Sequence, residues 1–409
     1  MAYFFSVVSG PYIWSKVLFI FCFIVIAALF LCTLFTLLYQ KFIYKKFISP
    51  SFDPSYKPKC TVIVPCKGNN VKNFEENLKS FLKLDYENYD VIFTVESEYD
   101  DAVKDIKKVI SQNPDKAFLS IAGLSSSCGQ KNYNLIAAVN KAKDSDVYVF
   151  ADIDISPQPN WLSEIILPLS KKEIIVATGF RWLKAEKGTI GNQAHFYMNS
   201  FLYTLYSTAS FFGGVGIWGG TMAIRREDFE ELEVHKRWAE TVVDDSSLSQ
   251  LVKKKKKKSI LVPTCITHTD DLIEKASDAV RWFERQMMFL KLYQRSLWVS
   301  AMPIILITFL TIIWLPLAVV LSFSTHYSFW QLAGGSSLLL LFGKLSSDMI
   351  YPFLGCKPNM VAFIFFQPVS LCLFLFSCIK TTFRRVIKWS GIKYYLSFRG
   401  KVIKLERMQ

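Results

Sequence analysis

The sequence predicts an α/β protein with a mixed, mostly parallel sheet, flanked at both ends by transmembrane helices. In the middle of the chain, short apolar runs alternate with helical patterns, which is typical of βαβ units. On either side, long uncharged stretches are followed by clusters of Lys and Arg. We therefore expect a membrane anchor at 1–47, a water-soluble domain at 48–295, membrane segments at 296–382 and a basic tail at 383–409.

The central domain shows the periodicity of a parallel sheet. Apolar runs predict buried strands at 61–65, 89–95 and 146–151, and helical patterns lie at 73–84, 102–112 and 133–142. Strands that are apolar throughout and alternate with helices indicate a parallel sheet with both faces covered. Such sheets bind ligands beyond the carboxyl ends of their strands, so polar residues directly after a strand are candidate site residues.

The first membrane segment is predicted at residues 17–39, which contain no charged residue. A stretch of this length can cross a bilayer as a helix. Because Lys41, Lys45 and Lys46 follow it, the domain after it is expected to face the cytoplasm. A cleaved signal peptide is the alternative, but the apolar stretch is too long and no small-residue cleavage site follows.

Three further apolar stretches lie near the C-terminus, at 299–323, 327–343 and 359–379. Arg384, Arg385 and Lys388 follow the last stretch and favour a cytoplasmic tail. Three complete crossings from a cytoplasmic domain would end on the opposite side. The number of crossings is therefore left open, and we predict a multi-pass integral membrane protein.

The basic balance of the chain also suits a membrane protein. Its 409 residues have a formal net charge of +14 and include 35 Phe. Positive charge can indicate nucleic acid, but the cations lie beside apolar stretches, so we expect membrane lipids and no nucleic acid as partners. The nine Cys residues lack paired metal-ligand spacing and are expected to be reduced thiols.

Two segments of the central domain each allow two interpretations. Residues 196–212 are uncharged and rich in Tyr and Phe, which suits either a helix in the membrane interface or a buried core helix. A transmembrane crossing there would separate Asp152 from Asp245 by a bilayer. Residues 253–258 are consecutive lysines, which favour a solvated helix end over a contact with anionic headgroups.

The main candidate site is Asp152-Ile-Asp154, directly after the strand predicted at 146–151. Two carboxylates one residue apart can hold a hard divalent cation such as Mg²⁺ or Mn²⁺, which can neutralise a diphosphate. The same pair also suits an ordinary turn after a strand. No Gly-x-Gly-x-x-Gly or P-loop follows the first strand, which argues against dehydrogenase and kinase-like functions.

Seven polar segments occur in a recognisable order, at 65–68, 96–101, 129–135, 152–154, 218–226, 243–245 and 281–286. In this order and spacing they resemble the motifs of the inverting glycosyltransferases of families 2 and 21, above all the ceramide glucosyltransferases and their bacterial relatives. The resemblance extends to the membrane segments and to the aromatic, basic stretch at 387–396. It implies the nucleotide-sugar fold called GT-A.

The resemblance also implies a donor site. Asp101 would contact the uridine, with the neighbouring Asp100 able to take that role, and Lys131 would lie near the nucleotide. Asp152 and Asp154 would bind the metal ion and the diphosphate.

The catalytic and acceptor residues follow from the same resemblance. Asp245 matches the general base, and Asp244 stands where many members have Glu. Asp244, Trp218 and Gly219 are assigned to the acceptor side. No Ser or Cys nucleophile paired with a His is evident, and His195 is expected in the core or at the surface.

Arg281 and Trp282 match the end of a Gln/Arg-x-x-Arg-Trp motif, which contacts the diphosphate and shapes the acceptor site in these enzymes. Asp278 stands at the first motif position, in place of Gln or Arg. Arg285 lies one helical turn after Arg281 and is a second candidate for the phosphate-binding cation. The choice between the two arginines is left open.

Together these assignments predict an enzyme that moves one hexose, glucose being the first choice, from a UDP-sugar to a lipid hydroxyl, with ceramide the first choice. Inverting transfer needs a base for the incoming hydroxyl and charge stabilisation for the leaving diphosphate. Diacylglycerol or a hopanoid would fit the motifs almost as well. A processive polysaccharide synthase shares the aspartates but normally has more spans and an intact Gln-x-x-Arg-Trp. A scaffold with a decayed transferase domain is disfavoured by the intact aspartates.

Overall fold

A computed structural model of the protein describes residues 24, 27–28, 31–32, 34–142, 144–183, 188–211, 216–269, 273–299, 302–303, 306 and 360–408. These residues include a seven-stranded sheet and a three-stranded sheet. The strands of the larger sheet are β1 Cys60–Pro65, β2 Tyr89–Val95, β3 Ala117–Ile121, β4 Val147–Ala151, β5 Ile174–Leu183, β6 Thr221–Arg225 and β7 Lys258–Thr269.

The larger sheet is mixed and mostly parallel, which confirms the α/β part of the predicted fold class. Its strand order is β3-β2-β1-β4-β6-β5-β7. Strands β3, β2, β1 and β4 run parallel to one another. Strand β6 is antiparallel to both of its neighbours, β4 and β5, while β5 and β7 are parallel. The antiparallel β6 brings the segment before Thr221 to the carboxyl end of β4.

The main helices are α1 Phe74–Ser80, α2 Ala102–Ser111, α3 Gln130–Lys141, α4 Trp161–Ile166, α5 Ile190–Phe211, α6 Arg226–Glu231, α7 Val234–Trp238, α8 Asp244–Lys254, α9 Ala276–Tyr293 and α10 Met360–Thr381. Helices α1, α2 and α3 correspond to the three predicted helical patterns. Helix α1 ends earlier than predicted because Phe81 and Leu84 reach the core from turns instead of from a continued helix.

The central strand β1 separates two hydrophobic cores. Val62 and Val64 pack with side chains of α1, α2 and α4, whereas Ile63 packs with Leu135 of α3 and with the core of α6 to α8. Successive side chains of a strand point to opposite faces, so an uninterrupted apolar run is buried on both sides. This burial leaves the carboxyl edge of the sheet as the place where polar side chains gather.

Helices α5, α9 and α10 form a second helical layer beside the sheet. Within the segment predicted at 196–212, most described side chains are buried, as the alternative of a buried core helix expects; they are residues 196–200, 203, 204, 207 and 210. The layer is joined by a core that includes Met198, Phe283 and Phe374, and Ser370 Oγ donates a hydrogen bond to the carbonyl oxygen of Ala194 at 2.6 Å.

The predicted membrane segments are described in part. Stretches 17–39 and 299–323 are only partly described, stretch 327–343 lies outside the described residues, and stretch 359–379 corresponds to α10. Within the part of the chain that the structure describes, no helix combines the length and apolar character needed to cross a membrane.

The basic tail is folded, which its charge did not predict. It forms an antiparallel sheet of β8 Val386–Trp389, β9 Ile392–Leu396 and β10 Val402–Arg407. A two-residue turn at Ser390 and Gly391, with φ of 49° and 80°, joins β8 to β9. Ile392, Tyr394 and Leu396 alternate inward and are buried against α9. The sheet is therefore held by an apolar face that the basic residues obscure in the sequence.

Two smaller expectations concern lysines and cysteines. Residues 253–258 are exposed and lie where α8 ends and β7 begins, as a solvated helix end requires.

The Cys residues within the described ranges are free thiols, in agreement with the predicted reduced state.

Candidate active site

Asp152 and Asp154 follow β4 at the carboxyl edge of the sheet. The backbone N–H of Asp152 donates to the carbonyl oxygen of Gly220 at 3.2 Å. This bond extends the pairing of β4 with β6 and places the aspartates beside Trp218 and Gly219. Two motifs that lie far apart in the sequence thus meet at one sheet edge.

Lys131 joins three segments of the chain. Its Nζ lies 2.8 Å from Asp152 Oδ1 and 3.0 Å from Asp244 Oδ2. Burial lowers the pKa of Lys131, but the charges of Asp152 and Asp244 outweigh this effect and raise its pKa above the ordinary value. The ammonium group is therefore held charged between the two carboxylates.

Asp245 is fixed at the first turn of α8. Its Oδ2 accepts a hydrogen bond from Gly219 N at 3.1 Å, and its Oδ1 accepts one from Ser246 N. Burial, and then the charge of Asp244, raise the pKa of Asp245 to about 6, although Lys131 and the two N–H groups oppose the increase. A carboxylate with this pKa, held in a fixed orientation, can accept a proton from a hydroxyl group.

Gly219 packs closely against the Asp244 side chain. A Cβ added there would lie 2.4 Å from Asp244 Oδ2, the oxygen that contacts Lys131, so a side chain at this position would require that carboxylate to shift. Trp218 is half-buried, and its backbone N–H donates to Thr178 Oγ1 at 3.0 Å. The predicted acceptor residues Trp218, Gly219 and Asp244 therefore adjoin one another, while their contact with an acceptor stays a prediction.

Arg181 is a site residue that the sequence did not reveal. It lies in β5, a strand that was not predicted, and its Nη1 is 3.6 Å from Asp154 Oδ2. Its guanidinium carbon lies 5.7 Å from the ring centroid of Trp282. The sequence did contain one indication of its role, because Arg181 is the single charged residue in the apolar run of β5. A charge in a buried strand requires a partner.

His195 packs in the core behind Arg181. It is 1% exposed, and its ring centroid lies 4.2 Å from that of Trp282. Burial, followed by the charges of Arg181 and Arg285, lowers the pKa of His195 well below its usual range. The side chain is therefore neutral, as a core histidine is expected to be.

The two arginines left open by the sequence lie in different surroundings. The Arg281 side chain is 72% exposed and is paired with Asp278, the residue that departs from the family motif. Arg285 lies with its guanidinium carbon 5.6 Å from the ring centroid of Trp389 in the C-terminal sheet. The role of either arginine at a diphosphate stays a prediction.

Asp100 and Asp101, the two candidates for the uridine contact, also lie in different surroundings. Asp100 Oδ1 accepts hydrogen bonds from Gly68 N at 2.8 Å and from Ala102 N at 2.9 Å. Asp101 is exposed at the start of α2. Asp100 thus joins the loop after β1 to α2, and the contact of Asp101 with a nucleotide stays a prediction.

A cavity of about 740 Å³ opens beside Asp154. The loops after β1 and β4 and the strand β7 line it with polar side chains, including Lys67, Asn73, Gln158 and His268. Its volume lies in the range of about 300–1,000 Å³ that is usual for small-molecule sites. The carboxyl edge therefore has room for a ligand next to the aspartates.

The aspartate pair fits a divalent cation by its chemistry. The side chains of Asp152 and Asp154 are 28% and 27% exposed and offer hard oxygen donors one residue apart. Among the described residues, no group of three or more His, Cys, Asp or Glu side chains is arranged to hold a metal ion. Mg²⁺ commonly binds one or two carboxylates together with substrate phosphates, and Mn²⁺ also favours carboxylates. Asp152 and Asp154 suit that kind of site.

The chain is similar to solved glycosyltransferase structures, one of them with a TM-score above 0.5. The mannosyltransferase PcManGT from Pyrobaculum calidifontis, solved with GDP-Man and Mn²⁺, matches with a TM-score of 0.53 and 17% identity, over 90% of this chain and 99% of its own. Glucosyl-3-phosphoglycerate synthase from Mycobacterium tuberculosis, solved with Mn²⁺, UDP and phosphoglyceric acid, matches with a TM-score of 0.38 and 13% identity, over 58% of this chain and 79% of its own. The first match supports the GT-A-like fold that the motifs imply.

The family assignment rests on the sequence of almost the whole chain. The family described as "Glycosyl transferase family 21" matches residues 22–402. This range includes every motif segment and the aspartates that converge on Lys131. The protein belongs to glycosyltransferase family 21.

Proposed function

We propose that the protein transfers a single hexose from a UDP-sugar to the hydroxyl group of a membrane lipid, with inversion at the anomeric carbon. The observation that carries the proposal is the position of Lys131 between Asp152 and Asp244, with Asp245 next in the chain. The partly buried ammonium group of Lys131 can stabilise a diphosphate, and the carboxylate of Asp245 can accept a proton. These are the two requirements of a single displacement at a sugar carbon.

Asp245 acts as the general base. It takes the proton of the acceptor hydroxyl while that oxygen bonds to the anomeric carbon. The bond from this carbon to the UDP oxygen breaks, and the electron pair leaves with the diphosphate. Since Gly219 N and Ser246 N bind both carboxylate oxygens, the base is oriented before the acceptor arrives.

The negative charge that develops on the diphosphate is stabilised by Lys131 and Arg181. Both cations already lie beside the aspartate pair, so they need little rearrangement when the charge develops. Mg²⁺ or Mn²⁺, held by Asp152 and Asp154, would supply further positive charge to the leaving group when bound. Asp101 supports the uridine side of the proposal because it begins α2 at the same sheet edge.

Glucose and ceramide are our choices of sugar and acceptor. They rest on the resemblance to ceramide glucosyltransferases and on the uncharged stretches at both ends of the chain. We further propose that these stretches hold the enzyme in a membrane by several crossings. The catalytic domain then faces the cytoplasm, as Lys41, Lys45 and Lys46 indicate.

A radiolabel transfer assay with the full-length protein in detergent micelles tests the proposal. It offers UDP-Glc, UDP-Gal, UDP-GlcNAc or UDP-GlcA with ceramide, diacylglycerol or a hopanoid, in the presence of Mg²⁺ or Mn²⁺. The matched control is Asp245→Asn, which preserves the shape of the side chain but removes the base. We expect a labelled glycolipid from UDP-Glc and ceramide, and none from the variant.

Other outcomes separate the alternatives. Product with diacylglycerol or a hopanoid would retain the reaction and change the acceptor. A polymer instead of a single addition would indicate a processive synthase. Binding of UDP without any product would contradict a lipid acceptor of these classes, and absence of UDP binding would support the decayed-domain alternative. Equal activity of wild type and Asp245→Asn would reject Asp245 as the base.

A further inference from the structure

The C-terminal sheet β8–β10 lies against the carboxyl edge of the larger sheet. Lys67 Nζ, in the loop after β1, donates to the carbonyl oxygen of Ser390 at 3.1 Å. Arg407, at the end of β10, lies 3.5 Å from Glu96, which follows β2. Glu96 also pairs with Lys67 at 3.2 Å. The tail therefore contacts the ends of β1 and β2, on the same edge as the aspartates that follow β4.

Arg407 also contacts the first turn of α3. Its Nη2 donates to Gln130 Oε1 at 2.6 Å, and the backbone N–H of Gln130 donates to the hydroxyl of Tyr394 in β9 at 3.2 Å. Gln130 is 7% exposed, and its Nε2 donates to Asn134 Oδ1 at 2.8 Å. Gln130 directly precedes Lys131, so the tail holds the turn from which the Lys131 side chain extends.

The tail holds a second segment, the one that leads into α8. Val402 N donates to the carbonyl oxygen of Glu240 at 2.8 Å. The hydroxyl of Tyr293 in α9 accepts from Val242 N at 3.2 Å and donates to the carbonyl oxygen of Gly400 at 2.8 Å. This hydroxyl connects the β9–β10 loop to the residues that immediately precede Asp244.

The start of α3 and the segment that leads into α8 are packed tightly against each other. Gly129 N donates to the carbonyl oxygen of Thr241 at 2.9 Å, and Asn132 Nδ2 donates to the same oxygen at 3.0 Å. A Cβ on Gly129 would lie 2.2 Å from the carbonyl oxygen of Val242. A shift of either segment must therefore move the other, and with it the contact between Lys131 and Asp244.

We propose that the C-terminal sheet is a positioning element of the active centre. Arg407, through Gln130, sets the position of Lys131. The β9–β10 loop, through its contact with Tyr293 of α9 and from there to Val242, sets the position of Asp244 and Asp245. This inference rests on the proposed function, because it assigns the tail to the centre that performs the transfer. Arg407 and Tyr293 are positioning residues that act through other residues. Displacement of reacting groups by about 1 Å can lower a rate about 100-fold.

The test compares Arg407→Ala and Arg407→Lys with Lys404→Ala, all in the full-length protein. Lys404 is the matched control because it lies in the same strand, is exposed and pairs with Glu406. Lipid transfer and the hydrolysis of the UDP-sugar by water are both measured, with kcat and KM expressed per folded molecule. UDP affinity and Tm are recorded for each variant.

We expect Arg407→Ala to lower kcat about 10- to 100-fold, with UDP affinity and donor KM changed by less than about twofold. Arg407→Lys should recover part of kcat, and Lys404→Ala should behave as wild type. Adding Arg407→Ala to Gln130→Ala should lower kcat little further, because the two residues act in one chain of contacts. Tyr293→Phe, which removes only the hydroxyl, should also lower kcat.

Several results would overturn the positioning role. Equal kcat for Arg407→Ala and Lys404→Ala would do so, as would a loss that lies entirely in UDP affinity or in the folded fraction. If the wild type hydrolyses UDP-sugar but glycosylates no lipid, the acceptor part of the proposed function fails. The positioning role is then judged from hydrolysis alone. Absence of both reactions in a folded wild type would reject both proposals.

Discussion

Asp152 and Asp154 lie one residue apart but have different surroundings. Asp152 is 2.8 Å from Lys131, which also contacts Asp244, a side chain that is 2% exposed. Asp154 is 3.6 Å from Arg181 and borders the cavity at the sheet edge. We refer to these surroundings as the Asp152 side and the Asp154 side.

The difference indicates a division of tasks between the two sides. On the Asp152 side, short contacts among one buried and two partly buried charges join β4, α3 and α8 into one arrangement that exists before any ligand binds. On the Asp154 side, Arg181 lies further from the carboxylate, at 3.6 Å, and Asp154 itself borders the open volume of the cavity. The Asp152 side is therefore suited to orienting the base and the charge beside it, and the Asp154 side to receiving a ligand.

The largest expected effect concerns Lys131. Lys131→Met keeps the length of the side chain but leaves Asp152 and the buried Asp244 without their shared cation. We expect kcat/KM for the donor to fall about 10²- to 10³-fold and the free energy of unfolding to fall by about 3–5 kcal/mol. Steady-state kinetics and denaturant unfolding measure the two effects. Lys131→Arg, which retains the charge, is the matched control. If Lys131→Met lowers kcat/KM less than Arg181→Ala does, the proposed difference between the sides is contradicted.

The pH dependence of transfer tests the Asp152 side directly. Because burial raises the pKa of Asp245 to about 6, the carboxylate form that acts as the base is lost as pH falls through this value. We expect kcat/KM, which reports groups of the free enzyme, to fall about tenfold per pH unit below about pH 6 and to level off above it. Asp244→Asn removes a charge that raises this pKa, so its acid limb should move to lower pH. A profile that stays flat from pH 4 to 8 would rule out Asp245 as the titrating base.

The same shift has a consequence for stability. The folded pKa of Asp245 is raised above its ordinary value of 3.8, so the protonated form is favoured in the folded state. The contribution of protonated Asp245 to the free energy of unfolding is therefore present at low pH and is lost as pH rises from about 4 to about 6. We expect Asp245→Asn to remove this part of the pH dependence of the unfolding free energy, as urea unfolding at several pH values would measure. An unchanged dependence in the variant would assign the effect to other groups.

A smaller effect is expected on the Asp154 side. Arg181→Ala removes a cation that lies beside Asp154 and the face of Trp282. We expect donor kcat/KM to fall about 10-fold and the unfolding free energy to change by about 1 kcal/mol. Donor titration and unfolding curves provide the two measurements, with Arg181→Lys as the control that retains the charge. A loss equal to that of Lys131→Met would show that the sides are equivalent.

The smallest effect is expected for Arg281. Its side chain is exposed and paired with Asp278, and exposed ion pairs contribute about 0–1 kcal/mol to stability. We expect Arg281→Ala to raise donor KM less than Arg181→Ala does, with little change in Tm. Arg285→Ala is the companion variant in the same kinetic series. If Arg281→Ala has the greater effect on KM, the diphosphate contact belongs to Arg281, as the family motif implies.

The local parts of the fold were predictable from the sequence. Strand β2 has the predicted bounds, Tyr89–Val95, and β1 and β4 each differ by one residue at one end. These strands are recognisable because each is an apolar run that ends in polar residues. The Asp-x-Asp pair was identifiable for a related reason, since carboxylates directly after a buried strand must lie at the edge of the sheet.

The parts that were missed depend on distant contacts. Strand β6 is only five residues long and pairs with β4, about 70 residues earlier, in the antiparallel sense. The C-terminal sheet was hidden because its apolar residues alternate with basic ones, and only its packing against α9 shows which face is buried. Arg181 could not be assigned to the site while β5 itself was unrecognised.

By itself, the sequence determined the alternation of strands and helices, the family and the candidate residues. Periodicity depends on neighbouring positions, and the order of the motifs can be read along the chain without knowing which segments contact each other. Only the tertiary structure decided that Lys131 lies between Asp152 and Asp244, that Arg181 lies beside Asp154 and that the C-terminal tail reaches the site. Charges in a partly buried site interact according to distance and shielding from water, and both are set by segments far apart in the chain.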